Sequence, residues 1–430
     1  MTIEKKRITR RTFLKGAGAA AAGVTLGGKF ATQGMFKPNV VHAQNTVVLA
    51  VQQFAHEAIQ AVLPDFEAAT GLTVTLEGGP VSGLDMLTKY STAFAAGNSP
   101  VDVVSDADDS GPTFYGAGWM LPLDDVIPQE SWDDLPESFD GQIERFHSFD
   151  GVRYRFPHEF AIGLFWTRKD WLDEKGVAAP TTWDELVETG KMFTDSANEL
   201  WGTTDGLIKP GLLGVFVMYL TAQAGGSIFD FDDGVATALQ FLYDLIYTHK
   251  VFPETALNQD YNAQNQLYME DKIAFMRQWP YFYGVTSSNT DWFAPEKIQL
   301  ELPPAGPAGS KSWWGGWGWS IPKFAPNMDG AKELIKFITS NEVAPTLAQG
   351  QSWFIVPRQS VLAVMADHPM VIAEGKYADA DVPAARPYHP RYAEAATIVD
   401  DMSSLFLTKQ ASLSEVLKNG KELIDELSAE

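Results

Sequence analysis

The chain has 430 residues, of which 45% are hydrophobic, 12% aromatic and 20% charged, enough apolar material for a large core spread over two domains or lobes. Its 32 Lys and Arg face 55 Asp and Glu, a formal charge of −23, and so acidic a body repels phosphate backbones, which argues against nucleic acid as a partner. The absence of cysteine excludes disulfides, thiolate metal sites, cysteine nucleophiles and a lipid-modified cysteine anchor.

Residues 1–43 read as a targeting segment. Thr9-Arg10-Arg11-Thr12-Phe13-Leu14-Lys15 resembles the twin-arginine export signal over its full consensus. Ala17–Gly28 follows as a mild apolar stretch of 12 residues, short of the roughly 20 that a membrane helix needs. Val41-His42-Ala43 places small residues where a signal peptidase cuts, so the mature chain is expected to begin near Gln44. The body that remains holds 24 basic and 54 acidic residues, a net −30 over 387 residues. It has no other run of 18 apolar residues. A protein exported already folded, soluble and free in a periplasm is the expectation.

The mature chain reads as α/β. Thr46–Val51 is a β-rich apolar run suited to a strand buried on both faces, and His56–Ala69 reads as a helix carrying Pro64 and ending at Gly71. Leu72–Glu77 alternates as a second strand, Ser82–Ala96 is again helical, and Val101–Ser105 reads as a third strand. This order predicts a parallel sheet, with ligands bound beyond the carboxyl ends of its strands. Gln52-Gln53-Phe54 and Asp106-Ala107-Asp108-Asp109 sit at such ends. Further on, Thr182 and Glu185 have capping-box spacing. Val235, Leu239, Leu242 and Ile246, then Ala331, Leu334, Ile335 and Ile338, form helical stripes best read as core faces. Leu302–Ser310 is a Pro/Gly-rich connection suited to a crossing between lobes.

The most informative stretch is Ser312–Ser320, S-W-W-G-G-W-G-W-S. Glycine lets backbone approach a ligand, and an indole offers a flat apolar face with a donor on its edge. Together they suit a sugar, whose ring C–H faces stack while its hydroxyls bond polar edges. Trp314 and Trp317 are the candidates for ligand contact, while Trp319, continuing into Ser320-Ile321-Pro322, reads as core. A second aromatic cluster, Arg277-Gln278-Trp279-Pro280-Tyr281-Phe282-Tyr283, would present Trp279 and Tyr281 at a strand end.

Here the chain resembles the extracellular sugar-binding proteins of ABC importers, the maltose/trehalose type. Asp102-Val103-Val104 with Gly118–Asp124 matches that family's "PDVV … G.L.PLDD"; Trp166–Asp170 with Pro180–Leu186 matches its "YYNKD … P.TWDEL". Gly225-Gly226 matches "GG", Gly316–Lys323 "GGWGLAIPK", Ala331–Glu342 "A.EFIKFLTSPE" and Pro357–Val361 "P.R.SV". The resemblance implies a two-lobe periplasmic-binding-protein fold: two parallel or mixed sheets flanked by helices, three crossings acting as a hinge, and a ligand cleft between. It places the crossings near Glu159–Gly163, Leu300–Pro304 and Ser340–Val343. The N-terminal lobe would hold residues 44–160 and 304–339, and the C-terminal lobe 161–299 and 341–430. As site residues it implies Gln53 and His56 after the first strand, Ser82 and Gly83 in the next loop, and Asp106 or Asp109 as acceptor of two hydroxyls. Trp279 and Tyr281 would come from the second lobe, with Trp314, Gly316, Trp317 and the hydroxyl donor Arg358 facing them. The implied partners are a carbohydrate ligand, with trehalose or maltose favoured, and the transmembrane subunits of an ABC importer. The receptor itself would be a monomer.

Other chemistry is poorly supported. Asp106-x-Asp108-x-Ser110-Gly111 begins like a calcium loop but has Ala117 at its twelfth position, and Asp230-x-Asp232-Asp233-Gly234 has Phe241 there. No H-E-x-x-H, G-x-S-x-G or phosphate-binding loop occurs, and no metal or other cofactor is expected. A monosaccharide, sugar alcohol or polyamine receptor of the same fold, and an exported glycoside hydrolase, stand as alternatives.

Overall fold

The computed structural model describes residues 45–137, 140–289, 292–356 and 358–429. The expected export signal, its cleavage point at Gln44 and the matched Pro357 lie outside them.

Strand β1 (Thr46–Gln52) is buried over six of its seven positions, as its unbroken apolar run requires. It pairs in parallel with β2 (Thr73–Gly79), from Thr46↔Thr73 to Gln52↔Gly79. On its other side it pairs in parallel with β3 (Val103–Ala107), beginning at Leu49↔Val103. The first crossover helix, His56–Thr70, carries Pro64 without being ended by it and stops where Gly71 turns left-handed at φ 71°. The second, Gly83–Ala95, is capped by Ser82, whose Oγ accepts the Asp85 N–H at 3.2 Å.

A short hairpin of β4 (Ser148–Phe149) and β5 (Val152–Arg153) leads into β6 (Phe156–Ile162). Gly163 alone separates β6 from β7 (Leu164–Arg168), and there the chain leaves the first sheet for a second. That sheet adds β8 (Trp201–Thr204), β9 (Ile273–Gln278) and β10 (Ile298–Glu301), in the order β10-β7-β9-β8. The chain then returns through residues 302–311 to β11 (Ser312–Ser320), and β12 (Pro383–Ala384) arrives much later. The first sheet runs β12-β11-β3-β1-β2, with β6 also on β11. Both sheets are flanked by helices, and the first is mixed because β11 is antiparallel to β3 and β6.

Both stripes behave as core faces. Ala331, Leu334, Ile335 and Ile338 of helix Met328–Ile338 are buried with Val47, Leu49 and Val51 of β1. Val235, Leu239 and Leu242 of helix Asp233–Tyr243, with Ile246 beyond it, join a larger core that includes Val217 and Val399. A side chain of this kind contributes about 1.5–3 kcal/mol when fully buried. The Thr182 cap differs from the expected box in one detail. Thr182 Oγ1 accepts the Glu185 N–H at 3.2 Å, but Glu185 reaches back to Thr181, accepting its N–H at 2.8 Å and its hydroxyl at 2.6 Å.

Candidate functional site

A cavity of about 350 Å³ opens where the strand ends of the two sheets face each other. From the first sheet, the carboxyl ends of β1 and β3 supply Gln52 with Phe54, and Ala107 with Asp109. The loop after β2 adds Val81, Ser82, Gly83 and Asp85. This is the crevice that a parallel βαβ order dictates. From the other side come residues 208–212, Val215, Asp260, Tyr261 and Asn262, with Trp279 and Tyr281 following β9. Between them lie Glu159 of β6, Trp313 and Gly315–Trp317 of β11, and the late-chain residues Trp353 and Arg386.

Strand alternation decides what β11 shows the cavity. Trp313, Gly315 and Trp317 share one face, and Gly316 contributes its backbone. Trp313 and Trp279 meet edge to face, with ring centres 5.4 Å apart at 68°. Gly315 makes room for them: a Cβ there would lie 3.1 Å from Trp279 and 3.2 Å from Trp313. Tyr281 stacks on Phe54 at 5.2 Å, and Trp353 stands edge-on to Phe54 at 5.1 Å and to Trp317 at 5.8 Å. One stacked pair and three edge-to-face contacts therefore border one space. Asn265 Nδ2 donates to the Tyr281 hydroxyl at 2.9 Å, which holds that ring in place.

The polar groups are few and fixed. Asp109 is so close to the start of helix Gly83–Ala95 that a Cβ on Gly83 would fall 1.7 Å from its Oδ1. Burial raises the Asp109 carboxyl above its ordinary range, and the Arg386 guanidinium opposes that shift. Arg386 lies 4.8 Å from the Trp313 ring centre and bonds Asp108 Oδ2 at 3.1 Å and the Tyr392 hydroxyl at 3.0 Å. Glu159 is only 5% exposed; burial holds its carboxyl well above the usual range, Glu374 adds to this, and the Trp353 indole pulls the other way. Among the described residues no group of three His, Asp or Glu is arranged to hold a metal ion.

Of the residues expected from sequence, Ser82, Gly83, Asp109, Trp279, Tyr281, Gly316 and Trp317 come together on the cavity wall. The other five lie elsewhere. Gln53 Nε2 is 3.2 Å from His56 Nδ1, and His56 Nε2 lies 3.1 Å from the Val51 carbonyl; their neighbour Gln52 holds the wall position. Asp106 is 0% exposed, takes the Ser320 hydroxyl at 3.2 Å and sits beside Arg155. Trp314, on the opposite face of β11, packs on the core around Ile162 and Trp166. Arg358 is 2% exposed and bonds Asp134 at 2.8 Å and Asn341 at 2.6 Å, bracing distant parts of the chain away from the cavity. Trp319, expected as core, is 1% exposed. The sequence reading missed Trp313 and Gly315, which strand alternation from Trp317 would have found. It also missed Glu159, Trp353 and Arg386, for which no local pattern exists.

The model of bacterial extracellular solute-binding proteins matches residues 55–345, and that of the twin-arginine translocation signal matches residues 7–27. An arabinooligosaccharide-binding protein of Halalkalibacterium halodurans is 25% identical over 59% of this chain and 57% of its own length. A maltotriose-binding protein of Pyrococcus abyssi is 27% identical over 73% of this chain and 65% of its own. The match thus spans under two thirds of these curated relatives. The maltose-bound structure of T. maritima MalE3 superposes with a TM-score of 0.78 at 26% identity, covering 89% of this chain and 99% of that one.

Proposed function

Since the chain belongs to the bacterial extracellular solute-binding proteins and carries a twin-arginine signal for export to the periplasm, we propose that it captures a sugar in the cleft between its two lobes and delivers it to the membrane subunits of an ABC importer. One observation carries this reading: Trp279, Tyr281, Trp313, Trp317 and Trp353 border the same cavity as Asp109, Gln52 and Ser82. Flat apolar faces beside fixed acceptors and donors are what a pyranose needs. The maltose bound in the T. maritima structure, and relatives named for maltotriose and arabinooligosaccharide, favour a sugar of two or more units.

In this reading the first sheet and its helices form one lobe and the second sheet and its helices the other; the expected bounds shift, because β6 stays in the first sheet to Ile162, Leu347, Trp353 and Phe354 pack with Val47 and Leu49 of β1, and β12 pairs with β11. The step at Gly163 and the return through 302–311 are two of the hinge strands. The lobes close on the ligand by hinge motion. The protein works as a monomer without a cofactor, and it binds without turnover. Asp109 accepts hydrogen bonds from sugar hydroxyls; Ser82 and Gln52 complete the polar edge.

A thermal-shift screen of the mature protein against disaccharides, monosaccharides, sugar alcohols and polyamines tests this. A ligand at 100-fold its Kd stabilises by about 2.7 kcal/mol, a rise of at least a degree or so in Tm. A shift with a sugar and no released product supports the receptor reading. A shift with polyamines alone, or release of product from an aryl glycoside, overturns it.

A further inference from the structure

Glu159 is the cavity-wall acid with no counter-charge. It stands in β6 at the register position opposite Trp317 of β11, 5% exposed. Within electrostatic reach of its carboxyl lie Glu374, on helix Pro369–Asp379, and Asp108, both carboxyls like itself, together with the Trp353 indole. The cations on the wall are held from behind it, Lys209 by Asp401 at 2.7 Å and Arg386 by Asp108 at 3.1 Å. Three rings border Glu159: Trp317 is its strand partner, Trp353 approaches through its indole, and Tyr281 lies within electrostatic reach. Among the described residues none of the three rings carries a cation. The other two tryptophans do: Arg277 lies 5.2 Å from the Trp279 ring centre and Arg386 4.8 Å from that of Trp313.

A buried carboxylate without a counter-charge is costly, and an aromatic face attracts a cation. Both needs are met by one ammonium beside Glu159. Without a cation, burial favours the neutral carboxyl; an ammonium supplies the charge that lets it ionise. The rest of the wall suits a neutral, hydroxylated body. Gln52, Ser82 and Asp109 offer hydroxyls their partners, while a second ammonium at the Trp279–Trp313 pair would face two guanidinium groups. A ligand charged along its whole length, such as a polyamine, is opposed there. Resting on the sugar-site reading of the cleft, we infer that the ligand is an amino sugar, its ammonium held between the Glu159 carboxylate and the rings of Trp317 and Trp353.

The probes are glucosamine, galactosamine and chitobiose, the disaccharide of glucosamine, titrated calorimetrically into the mature protein. Each is compared with its hydroxyl parent, which is glucose, galactose or cellobiose, and with its N-acetyl derivative. The parent has nearly the same shape and lacks the charge. At least one amino sugar is expected to bind about tenfold more tightly than both of its neutral counterparts, because a hydrogen bond between charged groups is the stronger kind. In Glu159→Gln the ratio of amino-sugar to parent-sugar affinity falls to within about twofold, whatever the absolute affinities become. A melting curve like the parent protein's verifies that the variant folds, and the three-way comparison in the parent protein decides the matter without it.

Equal or tighter binding of the hydroxyl parents overturns the inference and leaves the sugar receptor standing. So does an amino-sugar preference that survives Glu159→Gln, which would put the ammonium elsewhere on the wall. Tighter binding of putrescine or spermidine than of every sugar tested overturns the sugar reading, and this inference with it. Failure of every sugar, charged or neutral, to bind does the same.

Discussion

Asp109 and Gly83 act as one unit at the residue scale. The glycine at the head of its helix leaves the room in which the carboxylate stands, 1.7 Å from where a Cβ would be. A charge-assisted hydrogen bond contributes about 1.5–3 kcal/mol. Asp109→Asn is therefore expected to weaken sugar binding about 10–100-fold in a calorimetric titration. Gly83→Ala is expected to do much the same without touching a charge, because it displaces the carboxylate. Asp106 behaves differently. Burial pushes its carboxyl up to about 7, Arg155 opposes that, and its Oδ2 has no partner among the described residues. The folded state therefore holds the proton more tightly than the unfolded chain does. The associated stability is complete below the unfolded value near 3.8 and is lost as pH rises through about 7. Over that window the loss is about 4 kcal/mol. In Asp106→Asn the dependence of unfolding free energy on pH between 4 and 7 is expected to flatten. Asp106 and Asp109 look alike in the sequence, one turn-length apart after the same strand. What separates them is that Asp106 lies within β3, paired with Gly318, while Asp109 lies beyond the strand at the cavity.

The decisive element is β11. Its register against β6 and β3 pairs Trp317 with Glu159 and with Ala107, which brings three chain segments to one place. Its two adjacent glycines serve opposite faces. A Cβ on Gly315 meets the Trp279 and Trp313 rings, whereas one on Gly316 lies 2.7 Å from the Glu159 carbonyl, a backbone atom that cannot rotate away. Gly315→Ala is expected to lower sugar affinity about tenfold through the displaced rings while Tm stays near that of the parent. Gly316→Ala is expected to cost about 1–3 kcal/mol of stability by forcing β6 and β11 apart, seen as a lower denaturant midpoint. The composition of Ser312–Ser320 announces a binding strand, but composition carries no phase. A shift of one residue exchanges the faces, which is why Trp314 reads as a ligand contact and packs instead in the core.

For the whole molecule, acidity is the dominant long-range property. Residues 44–430 carry 54 acids against 24 bases, and ion pairs such as Lys169–Asp173, Lys191–Glu188 and Lys421–Asp425 are exposed contacts of small individual value. Self-repulsion of this size destabilises the compact state and is screened by salt over a Debye length of about 10 Å at 0.1 M. Tm is expected to rise between about 0.01 and 1 M sodium chloride, and to rise alike with and without bound sugar if the acids serve solubility. A salt effect confined to the ligand-bound form would place the repulsion across the cleft.

Much of this protein is written in local pattern. The export signal, the βαβαβ order, the helical stripes and the aromatic strand are each short-range features. Periodicity and capping chemistry fix them within a dozen residues, and the order of family motifs adds the lobes. The loops at strand ends were legible too, because a parallel sheet always places its crevice there. Tertiary structure alone decided the rest. Trp353 and Arg386 reach the cavity from the last fifth of the chain, and no spacing relates them to Asp109. Arg358 turned inward to Asp134 because a buried guanidinium needs a carboxylate more than a solvent-facing role. Segments 81–85 and 208–215 both line the cleft, approaching where a Cβ on Gly211 would lie 3.6 Å from Leu84, and two loops so far apart in the chain have no shared signature until the fold brings them together.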